Sequence, residues 1–226
     1  MTLLAMDTGQ AACSVALWRE GKIIAHRYTA MPKGHAEVLV PMIEEVQNEA
    51  GFAFEDLDAL AVTVGPGTFT GLRVGLATAR GIALASGKPL IGVTTLEAIA
   101  HAARGEAVDK EAVIAASFDA RRDEIYLQCF ATGEVALTEP SLVTLDTCNE
   151  YVPNSDLPII CVGTGAALLM ERLAGAGHDA LSAQAALLPD ARCVAEIAAA
   201  RGVTEDSLPG PLYLRAPDAK LPKAQP

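Results

Sequence analysis

Positive charge is in short supply in this chain. Seventeen Lys and Arg face 28 Asp and Glu, for a net charge of -11 over 226 residues. Neutralising a nucleic-acid backbone takes clustered cations, so a large electrostatic footprint on RNA or DNA is excluded, though not a local basic patch. No apolar run approaches the roughly 18 residues that a membrane helix needs. The opening Met1-Thr2-Leu3-Leu4-Ala5-Met6-Asp7 has no basic leader followed by a long apolar stretch, so no signal peptide and no membrane are expected, and a cytoplasmic location follows. Cys13, Cys129, Cys148, Cys161 and Cys193 are odd in number, scattered, and never spaced Cys-x-x-Cys, which reads as reduced buried thiols. The Gly-Lys-Ser/Thr ending of a P-loop is missing, as are Ser-x-x-Lys and Gly-x-Ser-x-Gly, so nucleophilic catalysis has no support.

What is present is aliphatic. The hydrophobic fraction of 51% is ample for a packed core, in one large domain or two small lobes. Apolar runs predict strands at Leu3 to Met6, Ala12 to Trp18 and Ile23 to Tyr28, with a hairpin turn at Glu20-Gly21-Lys22. A helix over 35–50 follows, its stripe formed by Leu39, Met42, Ile43, Val46 and Ala50 and ended by Gly51; Pro41 predicts a kink or a start within it. The most informative stretch comes next. A β-prone run, Ala59 to Val64, enters Gly65-Pro66-Gly67 and then a helix over 70–86 with almost no polar face, capped by Thr68 or Thr70. Leu72, Leu76, Ala79 and Ala83 fall on one side; Gly71, Val74, Thr78, Gly81 and Ala85 on the other; Arg73 and Arg80 share a narrow stripe. A strand from Leu90 to Val93 and a helix over 95–103 complete the first half.

The second half repeats the first. Strands are predicted at Val113 to Phe118, Ile125 to Ala131 and from Val135 onward, around a turn at 132–134. Asp119 and Gly133 each lie 112 positions after Asp7 and Gly21 (119 − 7 and 133 − 21). Leu157 to Val162 leads to Gly163-Thr164-Gly165 and a helix from 166, and Asp190 caps a last helix ending at Gly202, before a proline-rich irregular tail. The reading is α/β with two lobes, 1–107 and a smaller 108–226; a single mixed sheet is the alternative.

Several residues invite a functional and a bland reading together. Asp7-Thr8-Gly9 ends a strand where α/β proteins bind ligands, or is a turn closed by the Asp7 side chain. The loop through Gly67 and Thr68 could turn backbone N–H groups on an anion, or serve close helix packing. His35 has Leu39 one turn on, not a second histidine, so no metal site is expected. Arg121 and Arg122 could hold a phosphate or a partner carboxylate, or decorate a solvated hairpin.

Taken together, Leu4-Ala5-Met6-Asp7-Thr8, His35-Ala36-Glu37 with Pro41, Asp56 to Val62 running into Gly65-Pro66-Gly67-Thr68-Phe69-Thr70-Gly71-Leu72-Arg73-Val74-Gly75, Gly92 to Ala98, Asp119 to Tyr126 and Leu212-Tyr213-Leu214-Arg215 resemble the bacterial TsaB (YeaZ-type) family. The resemblance implies a two-lobed fold of the actin, Hsp70 and sugar-kinase type. It also implies a non-catalytic partner of TsaD, the subunit that transfers threonylcarbamoyl to a tRNA adenosine beside the anticodon, with the ATPase TsaE as a third member. The His-x-x-x-His metal pair of TsaD corresponds here to His35 and Leu39, so nucleotide and metal are expected on TsaD and TsaE and no cofactor on this chain. The implied interface draws on His35, Leu39, Met42, Ile43, Val46, Gly71, Arg73, Val74, Gly75, Thr78 and Arg80, and homodimerises when TsaD is absent. Asp7, Gly67, Thr68, Arg121 and Arg122 remain for an anion or third partner, and tRNA is met only through the complex. A small-molecule kinase of the same superfamily is the alternative. A peptidase would need a nucleophile or metal the sequence does not offer.

Overall fold

The computed structural model describes residues 1–107, 111–133, 135–185, 187–203 and 208–216. The expected lobe boundary at 107/108 and residue 134 of the expected turn lie at or within residues outside the described ones.

Two five-stranded mixed sheets organise the chain. In the first, β1 (Thr2–Asp7), β2 (Ala12–Arg19), β3 (Lys22–Ala30), β4 (Ala59–Gly65) and β5 (Leu90–Thr94) stand in the order β3-β2-β1-β4-β5. In the second, β6 (Val113–Arg121), β7 (Glu124–Ala131), β8 (Ser141–Thr144), β9 (Ile159–Val162) and β10 (Ala180–Ser182) stand in the order β8-β7-β6-β9-β10, which is the same arrangement. The central pairs are parallel in both, with Met6 opposite Val62 and Ala116 opposite Val162. Parallel central strands are covered on both faces, which is why β1 and β4 read as continuous apolar runs and are buried along nearly their whole length. The same strand order twice over makes this a duplicated, two-lobed architecture.

Among the described residues six α-helices complete it: α1 (His35–Ala50), α2 (Phe69–Ser86), α3 (Thr95–Ala103), α4 (Cys148–Tyr151), α5 (Ala166–Gly175) and α6 (Ala191–Arg201). Leu39 and Val46 of α1 and Leu76 and Ala79 of α2 cover one face of the first sheet, against Leu4, Met6 and Val62. Its other face, Leu3, Ala5 and Ala61, is covered by Val194, Ala195 and Ala198 of α6, from the far end of the chain. The exchange is mutual: Leu96, Ile99 and Ala103 of α3 pack on Ile114, Ala116 and Phe118 of the second sheet. The outer face of that sheet is closed by Leu169 and Leu173 of α5.

Caps follow the sequence closely. Thr68 accepts the Gly71 N–H at the start of α2, Asp190 accepts the Arg192 N–H at the start of α6, and Gly51 and Gly202 end α1 and α6. Helix α1 runs through Pro41, which is exposed, so the carbonyl it leaves without a helical donor can turn to water. The third strand of the second half begins at Ser141, not Val135. There the Thr138 hydroxyl takes the Cys129 N–H at 2.9 Å, leaving one isolated bridge, Phe130 to Ala136, in place of a ladder. The five cysteines are free; burial pushes the thiols of Cys13, Cys129, Cys161 and Cys193 up to about 12 and that of Cys148 upward.

Candidate partner surface and the closed strand-end loop

The loop after β1 is sealed by the chain itself. Asp7 is fully buried, and its Oδ1 accepts the Gly9 N–H at 3.0 Å and the Thr63 hydroxyl at 2.6 Å. The Thr8 hydroxyl donates to the Gly71 carbonyl at 2.7 Å. The glycine loop sits on top: Thr68 N–H donates to Gly9 O at 2.8 Å, and Pro66 O accepts from Thr95 Oγ1 at 2.5 Å and Gln10 Nε2 at 3.2 Å. A Cβ at Gly67 would overlap the Gly9 carbonyl oxygen, and one at Gly71 would overlap that of Thr8. Close packing accounts for both glycines. The Gly9, Thr68 and Gly71 N–H groups that could face an anion are already bonded inside the chain.

Burial pushes the Asp7 carboxyl up to about 7, against the pull of its bonds to Thr63 and Gly9, and the Asp190 charge adds to the rise. Asp190 behaves oppositely. Burial alone would raise it, but His26, with Nε2 at 2.9 Å, and Arg192 hold its carboxyl well below the usual range. Asp119 occupies the matching strand end of the second sheet but is exposed, with Oδ1 accepting the Arg121 N–H at 2.7 Å. Arg121, Arg122 and Asp123 all have positive φ, near 60°, and turn the β6–β7 hairpin outward. Among the described residues no group of three or more His, Cys, Asp and Glu could hold a metal.

The expected interface residues divide into those the fold consumes and those it leaves. His35, Leu39, Met42, Ile43, Val46, Gly71 and Gly75 are buried in this chain's own structure. His35 Nε2 lies 3.0 Å from Gln10 O, and a Cβ at Gly75 would come within 2.5 Å of Thr8 Oγ1. Their small size and apolar character serve contacts inside the lobe. Val74 and Thr78 are half-buried, Val74 against the core. What α2 turns outward is Thr70, Arg73, Ala77, Gly81 and Leu84, spaced three and four apart, with Leu84 87% exposed. Val40 on α1 and Phe69 at the start of α2 are also exposed, at 49% and 54%.

Arg73 and Arg80 have a task the sequence did not reveal. Arg80 donates to Pro209 O at 2.6 Å, and Arg73 lies 3.6 Å over the Phe69 ring while donating to the Tyr213 hydroxyl at 3.2 Å. Residues 208–216, the described part of the tail, are irregular but firmly seated. The signal for that was its Leu212-Tyr213-Leu214-Arg215 cluster, apolar, aromatic and cationic within a proline-rich stretch.

The chain is similar to known proteins along most of its length. The family model described as TsaD: tRNA N6-adenosine threonylcarbamoyltransferase matches residues 23–152. The tRNA threonylcarbamoyladenosine biosynthesis protein TsaB of Bacillus subtilis is 32% identical over 166 residues, covering 72% of this chain and 71% of that protein. The Escherichia coli TsaB is 40% identical over 127 residues, 56% of this chain, and the match spans about half of that protein, 53%. The structure titled YeaZ from Pseudomonas aeruginosa superposes with a TM-score of 0.80 at 34% identity, covering 94% of this chain and 99% of that one. The chain therefore belongs to the TsaB (YeaZ) family of tRNA threonylcarbamoyladenosine biosynthesis proteins.

Proposed function

We propose that this chain is a non-catalytic subunit of tRNA threonylcarbamoyladenosine synthesis. It docks on a TsaD-type transferase through the outer faces of α1 and α2 and orders that partner for transfer of threonylcarbamoyl to the tRNA adenosine. The partner supplies nucleotide, metal and chemistry, a TsaE-type ATPase joins the pair, and tRNA is met through the complex. The observation that carries this reading is the outward stripe of α2, where small residues lead to a leucine standing almost wholly in water. Surfaces of this composition mark protein contacts. An interface of standard size would bury about 800 Å² on each partner, and the same surface in a second copy gives a homodimer when the transferase is absent.

The kinase alternative loses ground at the strand-end loop. A phosphate there would need the Gly9 and Thr68 N–H groups, which Asp7 and Gly9 already engage. The deciding experiment is threonylcarbamoyl transfer to tRNA by the TsaD and TsaE proteins of the same organism, with threonylcarbamoyl-adenylate supplied. Activity is expected only when this chain is added, and none from the chain alone. Full activity in its absence overturns the proposal.

A further inference from the structure

Residues 208–216 carry no regular secondary structure, yet they are held at point after point. Pro209 accepts the Arg80 guanidinium and lies on Gly92, where a Cβ would come within 2.7 Å of the Pro209 ring. The Leu212 N–H donates to Val64 O at 2.7 Å at the end of β4, and its side chain joins the core beneath α1 and α2. The Leu212 carbonyl oxygen fills the space beside Gly65, 2.7 Å from where a Cβ would stand. Tyr213 sits 5.6 Å from Phe69, centroid to centroid, and receives Arg73. Two residues later the chain has crossed to the other lobe. Arg215 Nη1 donates to Ala120 O at 2.8 Å, and Nη2 pairs with the Glu124 carboxylate.

The segment therefore links the carboxyl ends of β4 and β6, whereas α3 and α6 join the lobes through the faces of the sheets. We propose that 208–216 is a strap that couples the first turn of α2 to the β6–β7 hairpin carrying Arg121 and Arg122. A partner seated on Phe69, Arg73 and Tyr213 stiffens the strap and with it the hairpin. By reciprocity, a ligand on the hairpin changes the affinity of the α2 end. The sequence holds the parts for this: two arginines on α2 that reach the Tyr213 hydroxyl and the Pro209 carbonyl, and a tail whose aromatic and cationic residues alternate with leucines.

Amide hydrogen exchange on the chain alone, at a concentration where sedimentation shows it monomeric, tests this, so the result is independent of the TsaD reading. Arg80→Gln and Tyr213→Ala each loosen the strap on the first lobe, away from the hairpin. Exchange across 119–125 is expected to accelerate at least about threefold in both, with thermal unfolding checking that the fold persists. Arg215→Ala, cutting the other end, is expected to accelerate 69–74 by a similar factor. A chain shortened to residue 207 should show both effects together. If Arg80→Gln and Tyr213→Ala leave 119–125 unchanged, and Arg215→Ala is felt only in the hairpin, the strap does not couple the lobes and the proposal fails.

Discussion

The two halves carry the same strand order on helices of very different length. α1 and α2 have 16 and 18 residues; their counterparts α4 and α5 have 4 and 10. Ten residues suffice to put Leu169 and Leu173 over the second sheet. The first lobe invests several further turns, and they carry Gly81 and Leu84 into solvent. Covering a sheet does not explain that surplus; the proposed docking of a partner does. The strand-end aspartates diverge in the same way. Asp7 and Asp119 close the same two-residue turn onto a backbone N–H, but one is sealed under a glycine loop and the other is open.

The severest way to break the comparison is to fill the close approaches. A valine at Gly71 meets the Thr8 carbonyl, and one at Gly163, with φ +97°, meets that of Ser117. Each is expected to cost more than about 3 kcal/mol of stability, read by urea unfolding. Because α3 and α6 bind each lobe to the other, both variants should unfold in a single transition; two separated transitions would show the lobes to be independent.

The aspartate pair gives the next effect. The folded protein keeps a proton on Asp7 between pH about 4 and 7 that the unfolded chain has released. Wild-type stability should therefore fall as pH rises through that window and level off above it. Asp7→Asn removes this slope and gains stability relative to wild type at pH 8, on the order of a few kcal/mol. Asp119→Asn, which touches only an exposed bond from the Arg121 N–H, should change stability by no more than about 1 kcal/mol. An unchanged slope in Asp7→Asn would move the titration elsewhere.

Smallest in stability but largest in meaning is the outer stripe. Leu84→Asp should change stability by no more than about 0.5 kcal/mol, since the side chain has little to lose. It should weaken binding to the TsaD-type partner by about tenfold or more, read by calorimetry. Arg73→Glu should weaken it too. Unchanged affinity in both would shift the contact off this face.

The strands and caps of both lobes were legible because their signals are local. Apolar runs at Leu3–Met6 and Ala59–Val64, Thr68 and Asp190 before helices, and Gly51 after one each report on a few neighbouring residues. The repeat was legible through the spacing of Asp7 and Asp119. The short β10 and the single-turn α4 were not, having too few residues to show a period. What Gly71 and Gly75 of α2 approach was not legible. A stripe of small residues announces close approach but not by what, and here it is Thr8 of the same lobe. The tasks of Arg73, Arg80 and Arg215 were hidden because their partners lie 91 to 140 positions away, beyond any local pattern.

The crossing of α3 and α6 also sets the order in which this protein can be made. A nascent chain that has extruded the whole first sheet still lacks the helix that covers Leu3, Ala5, Ala16 and Ala61, since Ala191 to Arg201 emerge about a hundred residues later. Until then an aliphatic sheet face stands open, the kind of surface on which half-made chains aggregate. A fragment ending near residue 107 is therefore expected to be recovered as inclusion bodies or bound to chaperones, not as a free lobe.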